Sequence, residues 1–355
     1  MSQEGGELIG MGSFGCVFNP SLRCPDEKES KDDVVSKLFF NKYGKKELNE
    51  EYNINSTIKK IPGYEEWAEV WYKKCKTSKY IDLYEQDPEI QDCLDENNIE
   101  PYEFNKVRMM LQGHYGGETF IDYIEKNLNK KIFLSKKQFI VLFLKIIKSM
   151  KPLFKGLKKL YNKGIGHNDI SNKNIVIDNG KCKFIDFGFS SRYDQLKFYK
   201  KRSSLEFISG RIYPPYPYEF IYLFATRDIL KENDKKDIEY DIYRSLHDRY
   251  KLVHETFFNR NTKQYLVNTI DRFINKENKK RYIKDIISLL DTYSLGILLP
   301  SILCSKAKKY GMISSLKKYI TDNKIKSFIY LFKHMSEPDY FNRINPNDAY
   351  DKYVE

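Results

Sequence analysis

The stretch GHNDISNKNIVIDNGKCKFIDFGFSS, residues 166–191, constrains this chain more than any other. It sets His167, Asp169, Asn174 and Asp186 close together, with apolar, strand-like pieces (Ile175 to Ile177, Phe184 to Ile185) separating the polar groups. Two carboxylates and a carboxamide at these spacings suit a hard cation such as Mg²⁺, which prefers oxygen ligands and usually arrives with a phosphate. That reading requires a phosphate site elsewhere in the chain and a molecule to receive the phosphoryl group.

A phosphate site is offered near the N-terminus by ELIGMGSFGCVF, where Gly10, Gly12 and Gly15 stand in G-x-G-x-x-G-x-V order, closed by Val17. The bland alternative is a glycine-rich turn between two strands. Dinucleotide-binding glycines open a helix, whereas Cys16, Val17 and Phe18 read as a strand leaving the turn. A strand-turn-strand with no side chains at its tip can fold over a triphosphate and present backbone N–H groups to it. Lys37 then lies in the apolar run DDVVSKLFF, an awkward place for a charge without a partner. Glu51 shares helical spacing with Ile54 and Ile58, so its carboxylate can sit on the face that makes apolar contacts. Glu47 and Glu50 compete for the same role.

A chain of 355 residues exceeds one average domain, so one large domain or two lobes is expected. Apolar residues are spread throughout and aromatics are plentiful, with 28 Tyr and 23 Phe, which argues against disorder. The heavy use of Lys, Asn, Ile and Tyr is what an AT-rich genome would give. The net charge of +12 favours acidic partners, yet no compact basic block stands out and no DNA-binding module is evident. Cys16, Cys24, Cys75, Cys93, Cys182 and Cys304 form no C-x-x-C pair and no cluster with histidine, so reduced thiols in a cytosol-like compartment are expected. For a viral chain that compartment would be the host cytoplasm or the virion. The segment MSQEGGELIG lacks the basic flank and apolar core of a signal peptide. Residues 286–305, IISLLDTYSLGILLPSILCS, carry a single charge. Asp291, Pro300 and the serines favour the central helix of a large domain over a membrane span.

Taken in order, these motifs resemble a protein kinase of the eukaryotic type, close to the serine/threonine class. The glycine-rich loop, Lys37 and Glu51 come first. MMLQGHYGGETF resembles the hinge, with Leu111 at the gatekeeper place and Glu118 where the family often binds ribose. HNDISNKN resembles the catalytic loop H-R-D-L-x-x-x-N, and DFG at 186–188 is intact. DTYSLG, from Asp291, resembles the start of the helix beneath that loop. Pro217 to Glu219 stands in for A-P-E, whose glutamate pairs with an arginine, here Arg343. The resemblance implies an α+β, bilobal fold: a β-rich lobe over residues 1–111, a hinge over 112–117 and a mostly helical lobe over 118–355.

It also implies roles. Lys37, held by Glu51, grips the α- and β-phosphates of ATP; Asp186 and Asn174 hold Mg²⁺; Asp169 orients the acceptor hydroxyl of a protein substrate and takes its proton. Asp291 holds the catalytic-loop backbone, and His167 is a prop. The pattern departs from the family in three places. Asn168 replaces the arginine that ordinarily pairs with a phosphate on the activation segment, so activation is expected not to depend on such a phosphate, whatever Ser203 and Ser204 do. Ser171 stands where serine kinases usually carry a lysine, and Lys173 where many tyrosine kinases carry an arginine. Residues 221–285 form an insertion, expected to be helical and to pack on the larger lobe, either shaping substrate choice or merely covering an apolar face. Two other readings remain open at this point: a choline- or aminoglycoside-type small-molecule phosphotransferase, and a pseudokinase that only binds.

Overall fold

The structure is a computed structural model and describes residues 6–12, 15–27, 32–39, 44–85, 88–209, 215–217, 219–222, 251–261 and 279–355. The chain divides into two compact units, residues 1–117 with 185–190, and residues 118–184 with 191–355. The class expected from the sequence is the one found: an antiparallel sheet dominates the first unit and helices dominate the second.

In the first unit, strands β1 (Glu7–Gly12), β2 (Gly15–Asn19), β3 (Val34–Phe39), β4 (Trp71–Lys76) and β5 (Met109–His114) form one antiparallel sheet in the order β1-β2-β3-β5-β4. Val17 pairs with Lys37, and Lys37 pairs with Leu111, so one row crosses the sheet from the glycine-rich strand to the gatekeeper position. Gly15 is demanded by packing, since a Cβ there would fall 2.1 Å from the Leu38 carbonyl oxygen. Helix α1 (Gly44–Ile58) packs Leu48 with Phe39, Val107 and Leu111. Between β4 and β5 the chain adds three short helices that the sequence reading did not single out: α2 (Tyr80–Tyr84), α3 (Pro88–Glu96) and α4 (Pro101–Val107). Ile90, Leu94 and Phe104 from α3 and α4 join Phe18, Leu38 and Met110 of the sheet in a second apolar cluster.

The cysteine expectation is corrected here. Cys16 of β2 is disulfide-bonded to Cys93 of α3, and Cys24 to Cys75 of β4. Among the described residues the free cysteines are Cys182 and Cys304, both buried. The pairing brings together residues 77 and 51 positions apart. A rule that looks for closely spaced cysteines could not find it.

The second unit opens with β6 (Glu118–Thr119) and α5 (Phe120–Asn127), capped by the Thr119 side chain accepting from the Asp122 N–H. Next come α6 (Lys130–Leu134), α7 (Lys136–Ser149) and α8 (Lys151–Asn162). The short strands β7 (Ile165–Gly166), β8 (Ile175–Asp178), β9 (Lys181–Phe184) and β10 (Ser191–Arg192) follow, with β6-β8-β9 in one small sheet and β10-β7 in another. The apolar pieces of the 166–191 stretch are therefore strands that fix the loops between them. Helices α9 (Leu196–Ser209), α10 (Glu219–Tyr222), α11 (Lys279–Ser288), α12 (Leu290–Lys309), α13 (Ile313–Tyr319), α14 (Lys326–Met335) and α15 (Pro346–Val354) complete the described elements. The span Ile283–Lys309 is long and apolar enough to cross a membrane, but 89% of its apolar window is buried within the protein.

Of the 221–285 insertion, residues 223–250 and 262–278 lie outside the described residues. Some of what is described is core. Val253, His254, Phe257, Phe258 and Arg260 are buried, the first four within or just after a π-helical turn, Val253–Phe257.

Candidate active site

In the first unit the central group is the Lys37 ammonium on β3. Its Nζ donates to Glu51 Oε1 and Oε2 at 3.2 and 3.0 Å and to Asp186 Oδ1 at 3.2 Å. Glu51 is thus the carboxylate that faces Lys37. Glu50 instead pairs with Lys46 at 3.8 Å on the exposed side of α1. The buried face of the helix reads Leu48, Glu51, Asn55 and Ile58, with Asn55 inside and Ile54 only half-buried. Burial alone would lower the Lys37 pKa, but the charges of Asp186 and Glu51 outweigh it and hold the ammonium protonated. Burial pushes the Glu51 carboxyl upward against the pull of Lys37, and the Asp186 charge adds to the rise.

Asp186 departs from the other two in exposure. Its side chain is 40% exposed, against 11% for Lys37 and 3% for Glu51. It sits at φ 56°, in the left-handed region, and accepts from the Gly188 N–H at 3.3 Å. This is a conformation that aspartate tolerates because a short polar side chain can bond locally. Leu111 is fully buried beside this row. At Gly10 and Gly12 a Cβ would meet nothing closer than 3.7 Å, so packing within the unit does not demand glycine there.

In the second unit the catalytic-loop backbone is held from below by Asp291 of α12. Its Oδ2 and Oδ1 accept from the backbone N–H groups of His167 and Asn168 at 2.6 and 2.9 Å. The His167 ring is fully buried, 5.4 Å from the Phe184 ring, as a prop should be. Asn174 Nδ2 donates to the Asp169 carbonyl at 2.9 Å and to Asp169 Oδ2 at 2.6 Å. Because its nitrogen is turned onto Asp169, the Asn174 carbonyl oxygen is the end of the amide left to accept or ligate. Lys173 is exposed. Glu118 pairs with Lys126 at 2.6 Å.

Asn168, where the family usually has arginine, is buried at φ 61°. Its Nδ2 donates to the Gly166 carbonyl and to Ser191 Oγ, both at 3.2 Å, and its own carbonyl accepts from the Tyr216 hydroxyl. Uncharged hydrogen bonds thus occupy the position of the missing cation. Ser203 is buried and donates to the Phe220 carbonyl at 2.9 Å.

The profile describing the protein kinase domain matches residues 4–213. The chain belongs to the protein kinase family. A protein of Acanthamoeba polyphaga mimivirus, named as a candidate serine/threonine-protein kinase, is 28% identical over 179 residues, covering 42% of this chain and 27% of that protein. Serine/threonine-protein kinase CST20 of Candida albicans is 29% identical over 126 residues, covering 26% of this chain and 10% of that protein. The matches therefore span about a quarter and a tenth of those relatives' lengths. The family match places the chain with the protein kinases rather than with the choline- or aminoglycoside-type phosphotransferases.

Two groups in this kinase were not singled out from sequence. Trp71, at the start of β4, donates its indole N–H to Glu51 Oε1 at 2.6 Å. Arg260, in the insertion, is buried, with Nη2 2.5 Å from Glu337 Oε2 and 2.6 Å from the Lys333 carbonyl, and Nη1 2.9 Å from the Ser336 carbonyl. That ion pair runs beside the expected one between Arg343 and Glu219, both of whose side chains are fully buried. No local motif marks either residue; an isolated tryptophan before a charged strand and an arginine just after a helical turn are ordinary.

Proposed function

We propose that this kinase transfers the γ-phosphoryl group of ATP, with Mg²⁺, to serine or threonine hydroxyls of protein substrates. The observation that carries the reading is the buried Lys37 ammonium, which is shared between Glu51 and the half-exposed Asp186. An ammonium held charged, with one of its two partners open to solvent, is placed to exchange that partner for phosphate oxygens.

Asp186 would offer Mg²⁺ a carboxylate oxygen and Asn174 an amide oxygen, the hard donors that this ion prefers. When bound, that ion supplies neutralisation of charge on the phosphates. The remaining work belongs to the chain. Lys37 grips the α- and β-phosphates, and backbone N–H groups from Gly10 to Val17 cover the triphosphate. Leu111 borders the base and Glu118 the ribose, which requires it to leave Lys126. Asp169, oriented through the Asn174 amide, accepts the proton of the acceptor hydroxyl as its oxygen bonds to the γ-phosphorus and the β–γ bridging bond breaks. Lys173 offers a cation to the transferred group.

The acceptor class draws support from the names of the serine/threonine-protein kinases that the chain resembles. Labelled ATP with Mg²⁺ and a generic protein substrate, followed by phosphoamino-acid analysis, tests it. Phosphoserine and phosphothreonine are expected. Phosphotyrosine alone would overturn the specificity, and absence of label in any residue would overturn the activity.

A further inference from the structure

The Lys37–Glu51 pair is useful only while α1 keeps Glu51 turned toward the sheet, and β4 holds it there in two places. The Trp71 indole N–H donates to Glu51 Oε1 at 2.6 Å. One turn further along α1, the Asn55 Oδ1 accepts from the Trp71 backbone N–H at 3.0 Å, while its Nδ2 donates to the Glu51 backbone carbonyl at 2.6 Å. Asn55 is completely buried, an unusual place for an amide in mid-helix unless its bonds are made. The ring itself has a shaped seat. Trp71 pairs with Gly113 across β4 and β5, and a Cβ on Gly113 would fall 2.8 Å from the indole Cε3. The register shifts between Trp71 and Lys73, the kind of bulge that re-aims a side chain.

We propose that Trp71 is a positioning residue for phosphoryl transfer: together with Asn55 it clamps α1 to β4 and fixes the Glu51 carboxylate against Lys37. The inference rests on the reading of Lys37 and Glu51 as the pair that orients the triphosphate. Its consequence is a helix held in the working position by the chain's own strand, through a bond that the indole nitrogen alone supplies. A neutral donor to a carboxylate is a strong hydrogen bond, and a hydrocarbon ring of similar shape cannot replace it.

The test is a double-mutant cycle on steady-state phosphoryl transfer to a generic protein substrate, using the full chain. Trp71→Phe keeps a ring against Gly113 and removes the N–H. It is expected to lower kcat about tenfold with less than about a threefold change in the ATP KM, because Lys37 is misplaced at the transition state more than in the bound ground state. In a Glu51→Gln background the same change should cost less than about twofold, since the partner it positions has lost its charge. Asn55→Ala, expected to cost about threefold alone and nothing further in the Glu51→Gln background, keeps the proposal testable if the phenylalanine variant does not fold. A merely structural tryptophan would lower the melting temperature and leave kcat unchanged at a temperature where the variant is folded. That result overturns the clamp, as does an equal loss in both backgrounds. If Glu51→Gln by itself leaves kcat unchanged, the assignment of the Lys37–Glu51 pair fails, and the clamp fails with it.

Discussion

Two buried ion-pair systems, one in each unit, use different chemistry. In the first unit a lysine is shared between two carboxylates, and one of them, Asp186, is 40% exposed. In the second, Arg343 and Glu219 are both fully shielded, and the Arg343 guanidinium also donates to the carbonyls of Glu337 and Pro338. Lysine is a compact charge on a flexible stem and can change partners; arginine offers a planar fork that locks several acceptors at once. The first arrangement leaves one partner partly exposed, and the second leaves none. Under the proposed function, burial of charge serves exchange in one unit and architecture in the other.

The largest expected separation between the two comes from Asp186→Asn. It should lower phosphoryl transfer on the order of a thousandfold, because a ligand oxygen and its charge are lost. Unfolding free energy should change by less than about 1 kcal/mol, since the group is half-exposed and its removal relieves repulsion on Glu51. Equal damage to both quantities would erase the distinction between the two ion pairs.

Arg343→Ala should do the reverse. It leaves a buried, uncompensated Glu219 and is expected to cost about 3–5 kcal/mol in denaturant unfolding. Transfer per folded molecule should be unchanged when assayed well below the melting temperature. A loss of kcat without a loss of stability would place Arg343 with the catalytic groups.

Replacing Cys16 and Cys93 together by serine sharpens the contrast from the other side, because the first unit is stapled and the second is not. The bond closes a loop spanning 77 positions. Its removal should cost about 2–4 kcal/mol and lower the melting temperature of the first unit. Dithiothreitol should mimic the loss in the wild type and leave Cys182 and Cys304 unchanged, since both are already free thiols. An unchanged melt under reduction would show that the staples contribute nothing.

The smallest effect expected is in pH. Burial pushes the Glu219 carboxyl up to about 7, with Arg343 pulling only part of the way back. The folded state therefore favours the protonated form relative to the unfolded chain. The stability this group contributes is fully present below the ordinary carboxylate range and is lost as pH rises through about 7. The stability of the wild type minus that of Glu219→Gln should fall by up to about 3 kcal/mol between pH 4 and pH 8, measured by urea unfolding. A flat or rising difference would mean that Arg343 dominates and that the carboxylate is ionised throughout.

Much of the site was legible because its residues sit in local patterns with local causes. Gly15 is glycine because the Leu38 carbonyl lies against it, and DFG announces itself because Asp186, at positive φ, is followed by the Gly188 N–H that it accepts from. The apolar run from Ile286 was legible as a buried helix because Asp291 interrupts it, and that carboxylate turned out to hold the His167 and Asn168 backbone. The choice of Glu51 over Glu47 and Glu50 was open in the sequence, since helical spacing alone does not say which way α1 rolls. The roll is set by Leu48 against Phe39 and by Asn55 and Trp71 across to β4, none of which is a motif.

What the amino-acid order determined by itself was therefore the kinase-type motif series: glycine loop, lysine, glutamate, catalytic loop and DFG follow one another in the chain, and each is recognisable from a few neighbouring residues. Tertiary structure alone decided which cysteines pair, that Trp71 bonds Glu51, and that Arg260 of the insertion joins the Glu337 segment in the core. The physical reason is range. A turn glycine or a helix stripe is fixed by its own few residues, whereas a disulfide or a buried hydrogen bond between distant positions exists only once packing has brought both ends within bonding distance.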